Sequence, residues 1–419
     1  MPSVLLLYRL LLPLYVLVAL PSWLGKMARR GGFGSGLLER AGRYAEELEF
    51  EPAGAVHVHA VSVGETLLAM KLIRAWRERC PDQEFVLAVG TATGKAVALD
   101  KPVPGVRLVY QPVDFGFMVR SYLNRFEPSQ IVLVEGEMWP NLLIECERRA
   151  IPVRLVNARM SPRSRRRYEK FAHLIRPVFS KLDAVAVQEE ASVEIWKTLG
   201  VEADRIKVTG SLKFDPGSGS LPTPRAEFDS MLRLCAADRP VVLAASTHVG
   251  EEALIGRAVR RAGGFFLCVP RHAERRAEVK ASLEEGGFFV VLRSAFQPPS
   301  DPEACCLVVD STGELCDWTA HADVVVIGKS FLSEGGQNPA EAIQAGKQLI
   351  FGPHMENFEP LASELVETGG ARRVAGEADL ERVLAAIGEG EEASTASAKQ
   401  VLAKHDGAVA RTLELLTAS

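Results

Sequence analysis

From residue 55 onward, short β-branched apolar runs alternate with longer amphipathic ones. The runs at 56–61, 85–89, 106–110, 131–134, 153–156, 184–187 and 206–208 read as strands. Between the first two, the spacing predicts a helix over 66–79, with Leu67, Leu68, Ile73 and Trp76 on or near one face. This βαβα rhythm argues for a parallel sheet covered by helices. The pattern then breaks at Asp215-Pro216-Gly217-Ser218-Gly219-Ser220-Leu221-Pro222-Thr223-Pro224, a Pro/Gly/Ser linker. A second α/β series follows at 241–245, 265–269, 288–292, 306–309, 324–327 and 348–351. The expected division is 1–30, 31–212, a linker at 213–225, and 226–419. Two α/β domains of similar size suggest a cleft, with ligands beyond the carboxyl ends of the strands.

The amino terminus departs from this rhythm. Residues 4–24 are almost wholly apolar, interrupted by Arg9, Pro13, Pro21 and Ser22, and are followed by Lys26, Arg29, Arg30, Arg40 and Arg43. About 20 apolar residues can span a bilayer, and a basic flank favours the cytoplasmic side. A helix lying in the membrane interface fits the same composition, as does a core helix. The basic residues mostly follow the apolar run and no small-x-small site stands out, which argues against a cleaved signal peptide. We expect a single membrane anchor over 1–30, with the rest cytoplasmic. Elsewhere the composition is that of a globular protein: 47% hydrophobic, 24% charged, net charge −4. Nothing global favours nucleic acid. Seven cysteines without C-x-x-C spacing read as free thiols in a reducing compartment.

The chemistry should sit at the strand-to-helix junctions. Near the carboxyl end, a strand ending at Gly328 is followed by Gly335-Gly336-Gln337-Asn338-Pro339-Ala340-Glu341. Two glycines admit a ligand to the backbone, and Asn338, Pro339 and Glu341 suit the N-cap, N1 and N3 positions. Amides at a helix N-terminus attract phosphate, and an acid in the first turn can reach ribose hydroxyls. Ser62-Val63-Gly64-Glu65 and Ser311-Thr312-Gly313-Glu314 repeat the pattern of a small polar residue with Glu three positions on. That pattern is equally a helix capping box, and the two uses are compatible. Ser246-Thr247-His248 and Arg271-His272 end two further strands; Thr247 suits a cap or a phosphate, and Arg271 suits bidentate phosphate recognition. Glu135-Gly136-Glu137 ends another. Arg159, Arg163, Arg165, Arg166 and Arg167 form a local basic cluster that suits an anionic lipid or a solvated helix face. His57 and His59 share one side of a strand; without a third ligand they read as a side facing a polar cleft, so no metal site is expected.

Seven ordered motifs resemble one family. They are His59-Ala60-Val61-Ser62-Val63-Gly64-Glu65, Glu135-x-Glu137-x-Trp139-Pro140-Asn141, Asn157-Ala158-Arg159-x-Ser161, Leu212-Lys213-Phe214-Asp215, Ala245-Ser246-Thr247-His248, Pro270-Arg271-His272 and Phe351-Gly352-Pro353-His354-Met355-x-Asn357-Phe358. Together they look like the bacterial 3-deoxy-D-manno-octulosonic acid (Kdo) transferases. The resemblance implies a GT-B glycosyltransferase, with two Rossmann-like domains facing a cleft and an N-terminal helix at the inner membrane. It implies inverting transfer of Kdo from CMP-Kdo to a lipid A precursor in lipopolysaccharide core biosynthesis, without a metal or other cofactor. Glu65 matches the family's catalytic base, and Arg271, Asn338 and Glu341 match positions that hold CMP. On this reading the 226–419 domain holds the donor through Ser246, Thr247, Arg271, His272, Gly313, Glu314, Gly335, Gly336, Asn338 and Glu341, with Lys213 adding charge. The 31–212 domain holds the acceptor through Ser62, Gly64, Glu135, Glu137, Arg159 and Arg163. The chain departs from the family at Gln337, where His is common, and at Lys329, where Gly is common; Ala342, Thr312, Ser211 and Gly136 also differ. Alternatives on the same scaffold are a membrane-associated enzyme or epimerase using a UDP-sugar, and a non-catalytic lipid-binding relative.

Overall fold

A computed structural model describes residues 3–30, 35–44, 53–136, 138–160, 162–215, 222–387 and 393–418. Residues 216–221 of the linker, and Glu137, lie outside the described residues. The chain forms two compact units, 1–215 with 405–419, and 216–404.

The first unit is built on seven strands: β1 (Val56–Ala60), β2 (Phe85–Val89), β3 (Val106–Tyr110), β4 (Gln130–Val134), β5 (Val153–Ala158), β6 (Ala184–Val187) and β7 (Ile206–Val208). All are parallel, in the order β3-β2-β1-β4-β5-β6-β7. The order reverses at β1, which pairs Val56 with both Phe85 and Gln130. The loop after β1 therefore lies at the switch point where open sheets bind ligands. Strands β1 and β2 are buried along their whole length, which is why they read as continuous apolar runs. His57 and His59 do not face a polar cleft as expected. Both rings are buried against the Tyr122 hydroxyl from the Gly116–Phe126 helix, and burial pushes both pKa values down, so the imidazoles are neutral.

The second unit holds β8 (Val241–Thr247), β9 (Phe265–Pro270), β10 (Phe289–Leu292), β11 (Cys305–Val308), β12 (Val324–Ile327), β13 (Gln348–Phe351) and β14 (Arg372–Arg373). It is again a parallel seven-stranded sheet, in the order β10-β11-β9-β8-β12-β13-β14. Its switch point falls between β8 and β12.

The carboxyl terminus corrects the expected division. The Ala408–Thr417 helix, assigned above to the second domain, packs on the first. It buries Ala408, Val409, Leu413 and Leu416 in the core formed with β1, β2 and the Val63–Arg79 helix. Polar ties fix it there: the Asp215 carboxylate accepts from Val409 N, and Arg154 donates to the Leu416 carbonyl at 2.6 Å. An amphipathic helix needs an apolar face to cover, and this one finds it on the first sheet.

Candidate active site

In the first unit, Ser62 caps the Val63–Arg79 helix by accepting from Glu65 N at 3.2 Å. Ser62 Oγ donates to Glu65 Oε1 at 2.6 Å, and Val61 N donates to Glu65 Oε2 at 2.8 Å. The capping box is thus real, and it holds the Glu65 carboxylate in one place. A cavity of about 330 Å³ opens beside it, with Glu65, Glu135, Arg159 and Ser164 on its polar side and Met138, Met160, Tyr168, Phe179 and Trp196 on the other.

Glu135 and Asn157 end β4 and β5 with φ of 64° and 53°, a left-handed conformation that ordinary residues rarely adopt. Burial raises the Glu135 pKa, and the Glu65 charge adds to the rise; Arg159, Lys213 and a hydrogen bond from Asn157 Nδ2 oppose it. Burial pushes the Lys213 ammonium down to about 8, against the attraction of Glu135 and with the repulsion of Arg159. Lys213, expected to add charge on the donor side, belongs to the first unit and shares the fields of Glu135 and Arg159. Gly64 is exposed on the first turn beside Ser62. Arg163 lies in the Pro162–Lys170 helix, its side chain outside the description, and Glu137 lies outside the described residues.

In the second unit, Glu341 lies in the first turn of a helix spanning Ala340–Gln344. The helix starts one residue later than expected: Pro339 takes the N-cap position, and Asn338 Oδ1 accepts from Ala340 N at 3.1 Å. Glu341 Oε2 is buried and unpaired among the described residues. Burial raises the Glu341 pKa, and Arg271, exposed after β9, opposes the rise. One cation and one partly satisfied carboxylate thus meet at the ends of β9 and of the loop after β12.

Gly335 and Gly336 have a different job from the one the sequence suggested. Their φ values, 120° and 67°, require glycine. Their amides are already used, Gly335 N by the Glu356 carboxylate at 2.6 Å and Gly336 N by the Lys329 carbonyl at 2.9 Å. A Cβ at Gly335 would lie 2.5 Å from Asn357 Nδ2, and one at Gly336 2.5 Å from Met355 Sδ. The glycines therefore admit the chain's own 354–357 segment.

Thr247 is fully buried and donates its hydroxyl to Glu252 Oε1 at 2.9 Å, so it neither caps the next helix nor presents a free hydroxyl. Ser246 is left-handed at φ 58°, beside it at the β8 bulge. His272 is exposed, its ring 6.5 Å from that of His248. Gly313 is left-handed with open space where a Cβ would be. Glu314 accepts from the Ser311 hydroxyl and from Trp318 Nε1, and pairs with Arg293 at 3.3 Å. Its carboxylate is already neutralised within the unit.

A family model described as 3-deoxy-D-manno-octulosonic-acid transferase (kdotransferase) matches residues 35–216. The 3-deoxy-D-manno-octulosonic acid transferase of Haemophilus influenzae is 32% identical over 389 residues, which covers 91% of this chain and 90% of the relative. That of Bordetella pertussis is 34% identical over 419 residues, covering 94% of each. The chain belongs to the Kdo transferase family. Among solved structures, Anabaena HepE in complex with UDP superposes with a TM-score of 0.55 at 16% identity, over 87% of this chain and 99% of that one. The UDP-GlcNAc 2-epimerase of Neisseria meningitidis gives 0.55 at 12% identity, over 86% and 99%. These two share the GT-B fold. The Kdo transferase described here is thus a GT-B glycosyltransferase.

Two residues of the transferase escaped the motif reading. Glu251 is completely buried, and its carboxylate accepts from His248 N at 2.9 Å, Lys329 N at 2.6 Å and Phe331 N at 3.0 Å. One side chain thus ties the loops after β8 and β12 together. Its only sequence signal, an acid in a helix's first turn, is shared with many helices. Lys71 donates to the Leu212 and Asp215 carbonyls and holds the chain as it leaves the first unit. The family departures also meet: Gln337 Nε2 lies 3.3 Å from His248 Nε2, and Lys329 takes a left-handed φ of 55° where glycine would be unstrained.

Proposed function

We propose that this enzyme transfers Kdo from CMP-Kdo to a hydroxyl of a lipid A precursor, with Glu65 as general base. The observation that carries the reading is Glu65 itself, held by Ser62 and Val61 at the edge of a cavity shared with Glu135 and Arg159. The acceptor oxygen attacks the anomeric carbon of Kdo as its proton passes to Glu65. The bond from that carbon to the CMP phosphate breaks, CMP leaves as an anion, and the configuration inverts in one displacement. A positioned base contributes typically 10²–10⁴-fold. Arg271 supplies a cation for the departing phosphate, and the unpaired Glu341 oxygen accepts from a ribose hydroxyl. Asn338 shapes the turn that presents Glu341. Arg159 and Lys213 balance Glu135 and suit an acceptor bearing an anionic group. No cofactor enters this scheme. The apolar N-terminal helix holds the enzyme to the inner membrane, with both units on the cytoplasmic side.

The test is incubation with CMP-Kdo and a tetra-acylated lipid A precursor, read by product mass. A gain of one or more Kdo units supports the reading. No gain, with transfer from a UDP-sugar instead, overturns it. CMP should also protect the enzyme against heating far better than UDP does.

A further inference from the structure

The Ser3–Arg30 helix contains a 19-residue stretch, Leu5–Trp23, with a mean hydropathy of 1.8. At 1.5 Å per residue it is roughly 28 Å long, close to the ~30 Å hydrocarbon core. Length alone therefore permits a span, and docking decides the matter. Leu5 and Leu12 are buried, and Tyr8, Arg9, Val16 and Trp23 are half-buried. These positions recur every three or four residues, so one stripe of the helix lies against the first unit from end to end. Polar ties pin both ends. Tyr8 OH donates to Asp114 at 2.9 Å, and Arg9 Nε donates to Asn141 Oδ1 at 2.6 Å. The Arg40 guanidinium lies 5.5 Å from the Trp23 ring centre. The opposite face exposes Leu6, Leu10, Leu14, Tyr15, Leu17 and Val18, each more than half accessible.

We infer that this helix stays docked on the first unit and lies in the plane of the membrane, its outer face in the acyl layer of one leaflet. A docked helix cannot also cross the bilayer, because Asp114, Asn141 and Arg40 would have to enter the hydrocarbon with it. A contiguous apolar face of this size needs a cover. Lipid is the occupant that fits, because Lys26, Arg29 and Arg30 follow directly and match anionic headgroups. The inference rests on the membrane association proposed above, and fixes its geometry.

The experiment places a single added cysteine, Ser3→Cys, in the full chain within sealed membrane vesicles of both orientations. Orientation is assigned by protease digestion of the folded units, and labelling by a membrane-impermeant maleimide is measured against the parent chain. Labelling only from the face that carries the folded units is expected. Labelling from the opposite face, or from neither until detergent is added, overturns the in-plane seating. A second measurement uses Leu14→Glu on the exposed face. Its binding to vesicles of phosphatidylglycerol and phosphatidylethanolamine should fall about tenfold or more, with unchanged thermal unfolding. Unchanged vesicle binding would mean that this face does not meet lipid. Neither readout involves sugar transfer, so a failed donor or acceptor assignment leaves the result interpretable.

Discussion

Glu65 serves the fold and the chemistry with the same carboxylate. Its bonds from Ser62 and Val61 close the helix cap, while the base must accept a further proton. Gln retains the capping-box geometry but cannot act as base. Glu65→Gln should therefore keep the thermal unfolding and CMP binding of the parent, while turnover falls about 10²–10⁴-fold; near-normal turnover would remove Glu65 from the role. Lys213 gives a pH signature. Its folded pKa, about 8, lies below the usual lysine value of 10.5, so the native state binds its proton less tightly than the unfolded chain does. Its contribution to stability is least favourable below pH 8 and grows as pH rises from 8 to 10.5. Lys213→Met should abolish that increment in unfolding free energy measured across the same window. At this scale the sequence was legible where residues talk to near neighbours, as in Ser62 and Glu65. It misled at Gly335 and Gly336, because Met355 and Asn357, which require the glycines, come some twenty positions later in the chain.

The thirteen strands expected from the apolar pattern are all present, because buried parallel strands advertise themselves as β-branched runs. The fourteenth, Arg372–Arg373, is two exposed arginines at a sheet edge, and no hydrophobic pattern could reveal it. Loops between strands were less legible. Glu135, Asn157, Ser246 and Lys329 all leave their strands left-handed, and none is glycine. Such strain persists only where surrounding contacts over-determine the backbone. For Lys329 the contact is Glu251, whose carboxylate takes its amide together with those of His248 and Phe331. Glu251→Gln places an NH₂ against a backbone N–H and leaves a buried donor unpaired, at a cost of about 1–3 kcal/mol. A lower thermal midpoint is expected, together with weaker protection by CMP, since the loops after β8 and β12 lose their common tie. Loss of stability with CMP protection intact would limit Glu251 to a packing role.

The division of the whole molecule was half legible. One boundary is written in Pro, Gly and Ser after Asp215. The return of the chain to the first unit at His405 has no such marker, only Lys404-His405-Asp406-Gly407 between two amphipathic helices. Amphipathicity says that a helix will cover something; it does not say which sheet. The two assignments predict different outcomes for Leu413, which is 1% exposed in the first unit's core. Leu413→Ala leaves a cavity that costs about 2–5 kcal/mol. Ligand binding stabilises the unit that holds the ligand by mass action. If CMP binds the second unit, as proposed, a calorimetric scan with saturating CMP should separate the two unfolding events. Leu413→Ala should then lower the transition that CMP leaves in place and spare the one that CMP raises. The opposite pattern would return the last helix to the donor-binding unit, where composition alone had put it.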